Sequence, residues 1–322
     1  MREFQPSWWL PGPHLPTIWG KKFRRQPMCH DRVERVRTPD GDHVSLARMG
    51  SARAGVPHVL ILHGLEGTIG ATYAHGLLQR ARELGWSGDL LLFRSCDGAR
   101  NLAPRLYHSG ETTDLDVVVR RLKTESPESP LCIVGVSLGG NVLTKWLGEL
   151  GEQARQLVRA SAAVSVPFDL AACARSLEHG FGRIYVRHFL ATLKQKAEWK
   201  HAQFPRVFDL HAMRRAGTFW EFDDAATAPL HGFRDAAEYY ARSSALPFIE
   251  RVRTPHLLFM ACDDPFVPSH VLLSVREKVA GNQVVRLATT PRGGHVGWVE
   301  GTVLAQKYYM EEFVMNWLVP VV

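Results

Sequence analysis

Cysteine is scarce in this sequence, and its placement argues against pairing. The 322 residues hold five, at positions 29, 96, 132, 173 and 262, an odd number, far apart and without a C-x-x-C pair. That spacing excludes a disulfide framework and a cysteine-built zinc site, and it suits a reducing compartment. Cys132 and Cys262 fall inside predicted strands, where a free cysteine behaves as a small buried hydrophobe. No apolar run approaches the roughly 18 residues of a membrane-crossing helix, and the opening MREFQPSWWLPGPHL lacks the apolar core of a secretion signal. A cytoplasmic chain, neither secreted nor membrane-spanning, is expected. There is no acidic surplus either: 39 basic residues against 32 acidic ones give a net charge of +7. The basic residues are scattered, densest at Lys21-Lys22-Phe23-Arg24-Arg25, and no recognition motif accompanies them, so nucleic acid is not an expected partner. Internal repeats and low-complexity tracts are missing too, which removes solenoids and long linkers.

What the sequence does contain is an alternation of apolar strands and amphipathic helices. Strands are predicted at 44–49, 58–63, 89–94, 131–136, 160–166, 256–261 and 283–288. Helices are predicted at 71–84, 115–124, 142–147, 269–279 and 305–318. Such alternation predicts an α/β fold, a mostly parallel central sheet flanked by helices. Residues 168–244 break the rhythm with aromatic and charged helical sequence and no strong strand, and read as a helical cap insertion. An insertion there would lie over the carboxyl ends of the strands, where open α/β sheets bind ligands. The whole of 1–322 is then one domain, with residues 1–30 as an N-terminal arm.

The chemistry concentrates at LCIVGVSLGGNVL, residues 131–143, where a strand ends in a serine between glycines and a helix follows at once. Gly135-Val136-Ser137-Leu138-Gly139 fits G-x-S-x-G in the strand–turn–helix setting that exposes the serine above the sheet. A serine hydroxyl attacks well only when a base takes its proton. His295, in PRGGHVGWVE after the last predicted strand, is the candidate base. An acid must hold the imidazole, and FMACDDPFVP places Asp263 and Asp264 just past the strand at 256–261. Asp264 is preferred, with Asp263 as a turn or capping residue. Backbone N–H groups must also meet the charge that develops on a carbonyl oxygen. Leu138, after the serine, supplies one, and Leu65, at the end of LILHGL, supplies the other, with His63 supporting that loop.

These motifs resemble the YheT-like branch of the α/β-hydrolases, whose members carry esterase or lipase names. GPHLPTI resembles that family's G-H-L-Q-T-I signature, FRSCDGARNLAPRLYHSGETTDL its charged loop with Ser95 where glycine is usual, and GVSLGGN, DDPF and GGHVG its three catalytic motifs. The resemblance implies Ser137, Asp264 and His295 as a catalytic triad in a serine carboxylic-ester hydrolase that acts through an acyl-enzyme on an apolar or lipid-like ester. Neither a metal nor an organic cofactor enters that chemistry. Because yeast relatives form ethyl esters, an acyltransferase that passes the acyl group to an alcohol is the alternative, and an idle binding scaffold the more distant one. Arg94, Asp97, Arg105, His108, Glu111 and Asp114 read as a mutually paired brace rather than a pocket wall. Phe181, Tyr185, Phe189, Phe219 and Trp220 read as cap core or as an apolar acyl site. Trp8, Trp9 and Trp19 beside the basic cluster allow weak contact of the arm with a membrane surface, but Pro11, Pro13 and Pro16 argue against a continuous helix there.

Overall fold

Eight strands make one sheet in the computed structural model, which describes residues 2–321. They are β1 (Arg32–Arg37), β2 (His43–Met49), β3 (His58–Leu62), β4 (Ser87–Leu92), β5 (Leu131–Val136), β6 (Ala160–Val164), β7 (His256–Ala261) and β8 (Val285–Thr290). Their spatial order is β1-β2-β4-β3-β5-β6-β7-β8. β2 runs antiparallel to both its neighbours, and every pairing from β4 to β8 is parallel. β3, β5, β6 and β7 are buried along their whole length, which is why they read as unbroken apolar runs. β9 (Val299–Gly301) and β10 (Gln306–Tyr308) form a separate antiparallel hairpin.

Helices cover both faces. α1 (His14–Lys22) precedes the sheet, and α2 (Thr72–Glu83), α3 (Thr113–Glu125), α4 (Leu138–Leu150) and α5 (Glu152–Leu157) follow strands in its first half. Between β6 and β7 lie α6 (Leu170–Ser176), α7 (Gly182–Gln203), α8 (Leu210–Arg215), α9 (Phe219–Phe222), α10 (Ala228–Leu230) and α11 (Ala236–Ser243). α9 runs into α10 through a wide turn at Asp223–Thr227. α12 (Ser269–Ala280) and α13 (Tyr309–Leu318) complete the chain. Leu60, Leu62 and Ile133 face Leu115, Leu143 and Trp146 on one side of the sheet, while Val59, Ile61 and Val134 face Leu77, Val314 and Trp298 on the other. At roughly 1.5–3 kcal/mol per fully buried aliphatic side chain, these two layers make the sheet the rigid frame on which the loops are mounted.

Several details depart from the sequence-based expectations. β1 was not expected, because RVERVR is mostly charged and buries only Val36 as an edge strand. The strand predicted at 160–166 stops at Val164, since Ser165 turns into the left-handed region with φ +50°. The helix predicted from 305 begins only at Tyr309, residues 306–308 being taken up in the hairpin with β9. Cys132 is buried in β5, but Cys262 is exposed, one residue beyond β7. In the arm, Pro16 does not prevent a helix. It sits in the first turn of α1, where its missing N–H would have had no intrahelical partner. The arm is tied down by Ser7 N–H to Val299 O (3.0 Å), Trp9 Nε1–H to Gly301 O (3.0 Å) and a buried Arg24–Glu311 ion pair.

Candidate active site

The turn from β5 into α4 is built by sterics. Ser137 has φ +53° and ψ −118°, a conformation that a side chain rarely adopts, and its N–H donates to Val164 O on the neighbouring strand (2.8 Å). The flanking glycines are required by close approach. A Cβ on Gly135 would meet Gly139 O at 2.4 Å, and one on Gly139 would meet Leu62 O at 2.6 Å. The serine is thereby lifted above the carboxyl edge of the sheet, between the ends of β3 and β6.

His295 reaches it from the loop after β8. Its Nε2 lies 2.9 Å from Ser137 Oγ, and its Nδ1 lies 2.9 and 3.1 Å from the two carboxylate oxygens of Asp264. A carboxylate only accepts, so Nδ1 carries the proton and Nε2 is left to accept from the serine hydroxyl. The Asp264 side chain is fully shielded and also accepts from Phe266 N–H (2.9 Å). Asp263 instead accepts from Gly294 N–H (2.9 Å) and shapes the histidine loop, with burial pushing its carboxyl above the usual range. Phe266 stacks on the His295 ring at 4.1 Å between centroids and 9° between planes. The His295 N–H donates to Thr17 Oγ1 (2.8 Å), so α1 anchors the loop directly. Thr17 lies in the GPHLPTI motif and Phe266 in DDPF, but the motifs alone did not say that these two side chains would hold the His295 loop and ring.

Leu65 sits opposite. A Cβ on Gly64 would lie 3.2 Å from Ser137 Cβ, which shows how closely the end of β3 abuts the serine. Among the described residues, the N–H groups of Leu65 and Leu138 have no acceptor in the loops around the serine, whereas those of Gly64 and Glu66 donate to the Tyr73 and Tyr107 hydroxyls (both 2.8 Å). His63 is completely buried, and burial lowers its pKa to about 4, so the ring is neutral. Its Nδ1–H donates to Gly64 O (2.7 Å) and its Nε2 accepts from Phe93 N–H (3.2 Å). The ring is consumed in holding that loop.

The charged loop after β4 pairs with itself and with the β1–β2 turn. Arg94, with no exposed side-chain surface, bonds Asp40 (2.9 Å), Asp42 (2.9 Å) and Asp114 (2.7 Å). Arg105 pairs with Glu111 and Asp40, and Asp97 accepts from Ser45 Oγ (2.8 Å). Ser95 adopts φ +58°, which explains why glycine suits that position, and its hydroxyl bonds Asn101 Oδ1 (2.7 Å). His108 is the member of this set that reaches a cavity.

Two cavities meet at Ser137 and His295. One, of about 120 Å³, runs beneath the inserted helices and is walled by Leu170, Cys173, Leu177, Phe189, Leu193 and Phe219, with Asp223 and Tyr240 also in its lining. The other, of about 480 Å³, opens between α1 and the Leu65 loop and is bordered by Lys21, Glu66, Thr72, Tyr185 and His188. Of the five aromatic residues singled out in the sequence, Phe189 and Phe219 line the first cavity, and Tyr185 and Phe189 the second. Phe181 stacks on His14 (4.2 Å) and Trp220 packs on Tyr240 (5.1 Å), so both act as packing.

Comparison with known proteins agrees with this architecture. The serine aminopeptidase S33 family matches residues 96–301. The chain is 38% identical to the Escherichia coli (strain K12) protein YheT, which carries an esterase name, over 98% of this chain and 93% of that one. It is 30% identical to human phospholipase ABHD3 over 92% of this chain and 76% of that one, and 30% identical to a Saccharomyces cerevisiae monoacylglycerol lipase over 75% and 55%. Among solved structures, the Pyrococcus furiosus esterase Pf2001 superposes with a TM-score of 0.59 at 18% identity over 90% of each chain. Est1E of Butyrivibrio proteoclasticus with bound ferulic acid superposes with a TM-score of 0.56 at 12% identity over 89% and 98%. The fold, the residues at its carboxyl edge and these relatives agree: the chain belongs to the YheT-like family of the α/β-hydrolases and is an esterase- or lipase-type hydrolase.

Proposed function

We propose that the chain is a serine carboxylic-ester hydrolase that works through an acyl-enzyme. The observation that carries this reading is the continuous hydrogen-bonded line Ser137–His295–Asp264, 2.9 Å at each step, lying where two cavities meet. In the first half-reaction, Ser137 Oγ attacks the ester carbonyl carbon while His295 Nε2 takes the hydroxyl proton. The carbonyl oxygen becomes an oxyanion, received by the Leu65 and Leu138 N–H groups. Collapse breaks the bond to the alcohol oxygen, which leaves with the proton from His295. Water then attacks the acyl-enzyme, His295 takes its proton, and the acid departs as Ser137 recovers its hydrogen. Asp264 holds the imidazole tautomer and balances the imidazolium charge during each transfer.

The meeting of two cavities at Ser137 supports a division of the substrate between them. We assign the acyl chain to the smaller cavity, walled by Leu170, Leu177, Leu193 and Phe219, and the alcohol to the larger, which is bordered by Lys21, Glu66 and His188. At about 30 Å³ per water-sized group in the liquid, 120 Å³ holds about four such groups, so the acyl chain is short. Hydrolysis of p-nitrophenyl esters from acetyl to palmitoyl, wild type beside Ser137→Ala, tests the reading. Activity should peak at about four to six acyl carbons and vanish in the variant. Equal rates for the two proteins on every ester would refute it.

A further inference from the structure

The loop that carries Leu65 is gripped from three sides. The Gly64 carbonyl accepts from His63 Nδ1 (2.7 Å) and from Gly67 N–H (3.0 Å), while the Gly64 N–H donates to Tyr73 Oη (2.8 Å). A peptide unit is planar, with its C=O and N–H pointing opposite ways. Pinning the Gly64 carbonyl therefore fixes the direction of the Leu65 N–H. The next residue, Glu66, is left-handed with φ +53°, a conformation in which only glycine is comfortable, so something must hold it. Its N–H donates to Tyr107 Oη (2.8 Å), and the same hydroxyl donates back to Glu66 Oε1 (2.6 Å). The oxygen Oε1 also accepts from Lys196 Nζ (2.7 Å), an ammonium that lies 5.3 Å from the centroid of the Tyr107 ring. Lys196 and Glu66 are nearly shielded from solvent, with side-chain exposures of 11% and 6%. Lys196 belongs to α7, one of the helices inserted between β6 and β7. The closed triangle Lys196–Glu66–Tyr107 thus ties an inserted helix to the backbone beside the serine.

We infer that Lys196, Glu66 and Tyr107 are positioning residues that aim the Leu65 N–H at the oxyanion, and that seating of the inserted helix α7 sets this aim. The inference rests on the hydrolase reading above. Tyr107 and Glu66 border the two cavities, but the role inferred for all three side chains runs through the backbone of Leu65. Their contribution is felt in the transition state, when the oxygen becomes charged, and hardly in the Michaelis complex.

The test compares Tyr107→Phe, which removes one hydroxyl and no charge, with Lys196→Met/Glu66→Gln, which removes the ion pair without stranding a charge, and with Lys196→Arg, which retains it. For Tyr107→Phe and the double variant, kcat on a p-nitrophenyl ester should fall roughly 10–100-fold, the scale of a misaimed rather than a missing group. KM should stay within about twofold and the melting temperature close to wild type. Affinity for an alkyl boronic acid, whose adduct on serine places an oxygen at the oxyanion position, should fall by the same factor as kcat/KM. Lys196→Arg should keep most of kcat. Wild-type kcat and boronic-acid affinity in both impaired variants would overturn the inference. Ester hydrolysis that persists in Ser137→Ala would instead remove the hydrolase reading beneath it, so the two failures are distinguishable.

Discussion

Asp223, in the lining of the smaller cavity, offers a quantitative test of how desolvation acts on a carboxyl there. Its carboxyl is partly buried in the wide turn between α9 and α10, where it accepts from Tyr240 Oη (2.6 Å) and Thr227 Oγ1 (2.5 Å). Burial raises its pKa from 3.8 to about 6, against the lowering effect of those two hydroxyls. The folded protein therefore binds this proton more tightly than the unfolded chain. The stabilisation is fully present below pH 3.8 and is lost as the pH rises through about 6. At about 1.4 kcal/mol per pKa unit, the shift from 3.8 to about 6 corresponds to ~3 kcal/mol of stability forgone at neutral pH. Asp223→Asn keeps the shape and removes the titration; one hydroxyl goes on donating to the amide oxygen while the other turns to accept from the amide N–H. Urea unfolding of both proteins from pH 4 to pH 8 should show nearly equal stabilities at pH 4. The variant should then gain up to ~3 kcal/mol by pH 8. Comparing the two proteins cancels the other titrations, notably those of His63 and His256, which burial lowers and which act in the opposite sense. A stability difference that stays flat with pH would refute the reasoning.

Three further outcomes follow from the geometry. Gly139→Ala drives a Cβ to 2.6 Å from Leu62 O and 2.7 Å from His63 O, so it should cost more than about 3 kcal/mol and abolish soluble expression or activity, read by melting temperature and ester assay. Thr17→Val removes the acceptor of the His295 N–H and strands that group, at about 1–3 kcal/mol, so kcat should drop while the circular dichroism spectrum is retained. Arg94→Met leaves the carboxylates of Asp42 and Asp114 buried without their cation, and denaturant unfolding should show a loss of roughly 3–5 kcal/mol.

Ser137, Asp264 and His295 were readable because each ends or follows a strand at the same edge of a parallel sheet. Chain order and glycine placement then leave few arrangements. The buried strands were readable for a similar reason: shielding on both faces demands an apolar run. β1 escaped notice because an edge strand needs only one buried side chain and can otherwise be charged, as RVERVR is. The helix α1 was obscured by Pro16, whose effect depends on its place in the first turn rather than on its presence. Thr17 and Tyr107 lie within quoted motifs and Glu66 follows Leu65, but the contacts that these residues, Tyr73 and Lys196 make beside the serine were not legible. Most of these contacts join distant parts of the chain, Lys196 and Glu66 being separated by 130 positions and Thr17 and His295 by 278, and no local periodicity records such a meeting. The brace of Arg94 was partly visible as a crowd of opposite charges, but its partners Asp40 and Asp42 come from the β1–β2 turn.

The central claim is that Ser137 is the group that becomes acylated. Treating the protein with an alkyl fluorophosphonate, then measuring intact mass, mapping the modified peptide and assaying residual ester hydrolysis, tests it most directly. The account predicts one phosphonyl group per chain, located on Ser137, with hydrolysis lost in proportion to labelling and no adduct in Ser137→Ala. Full hydrolysis with Ser137 unlabelled, or loss of activity through an adduct elsewhere, would contradict it.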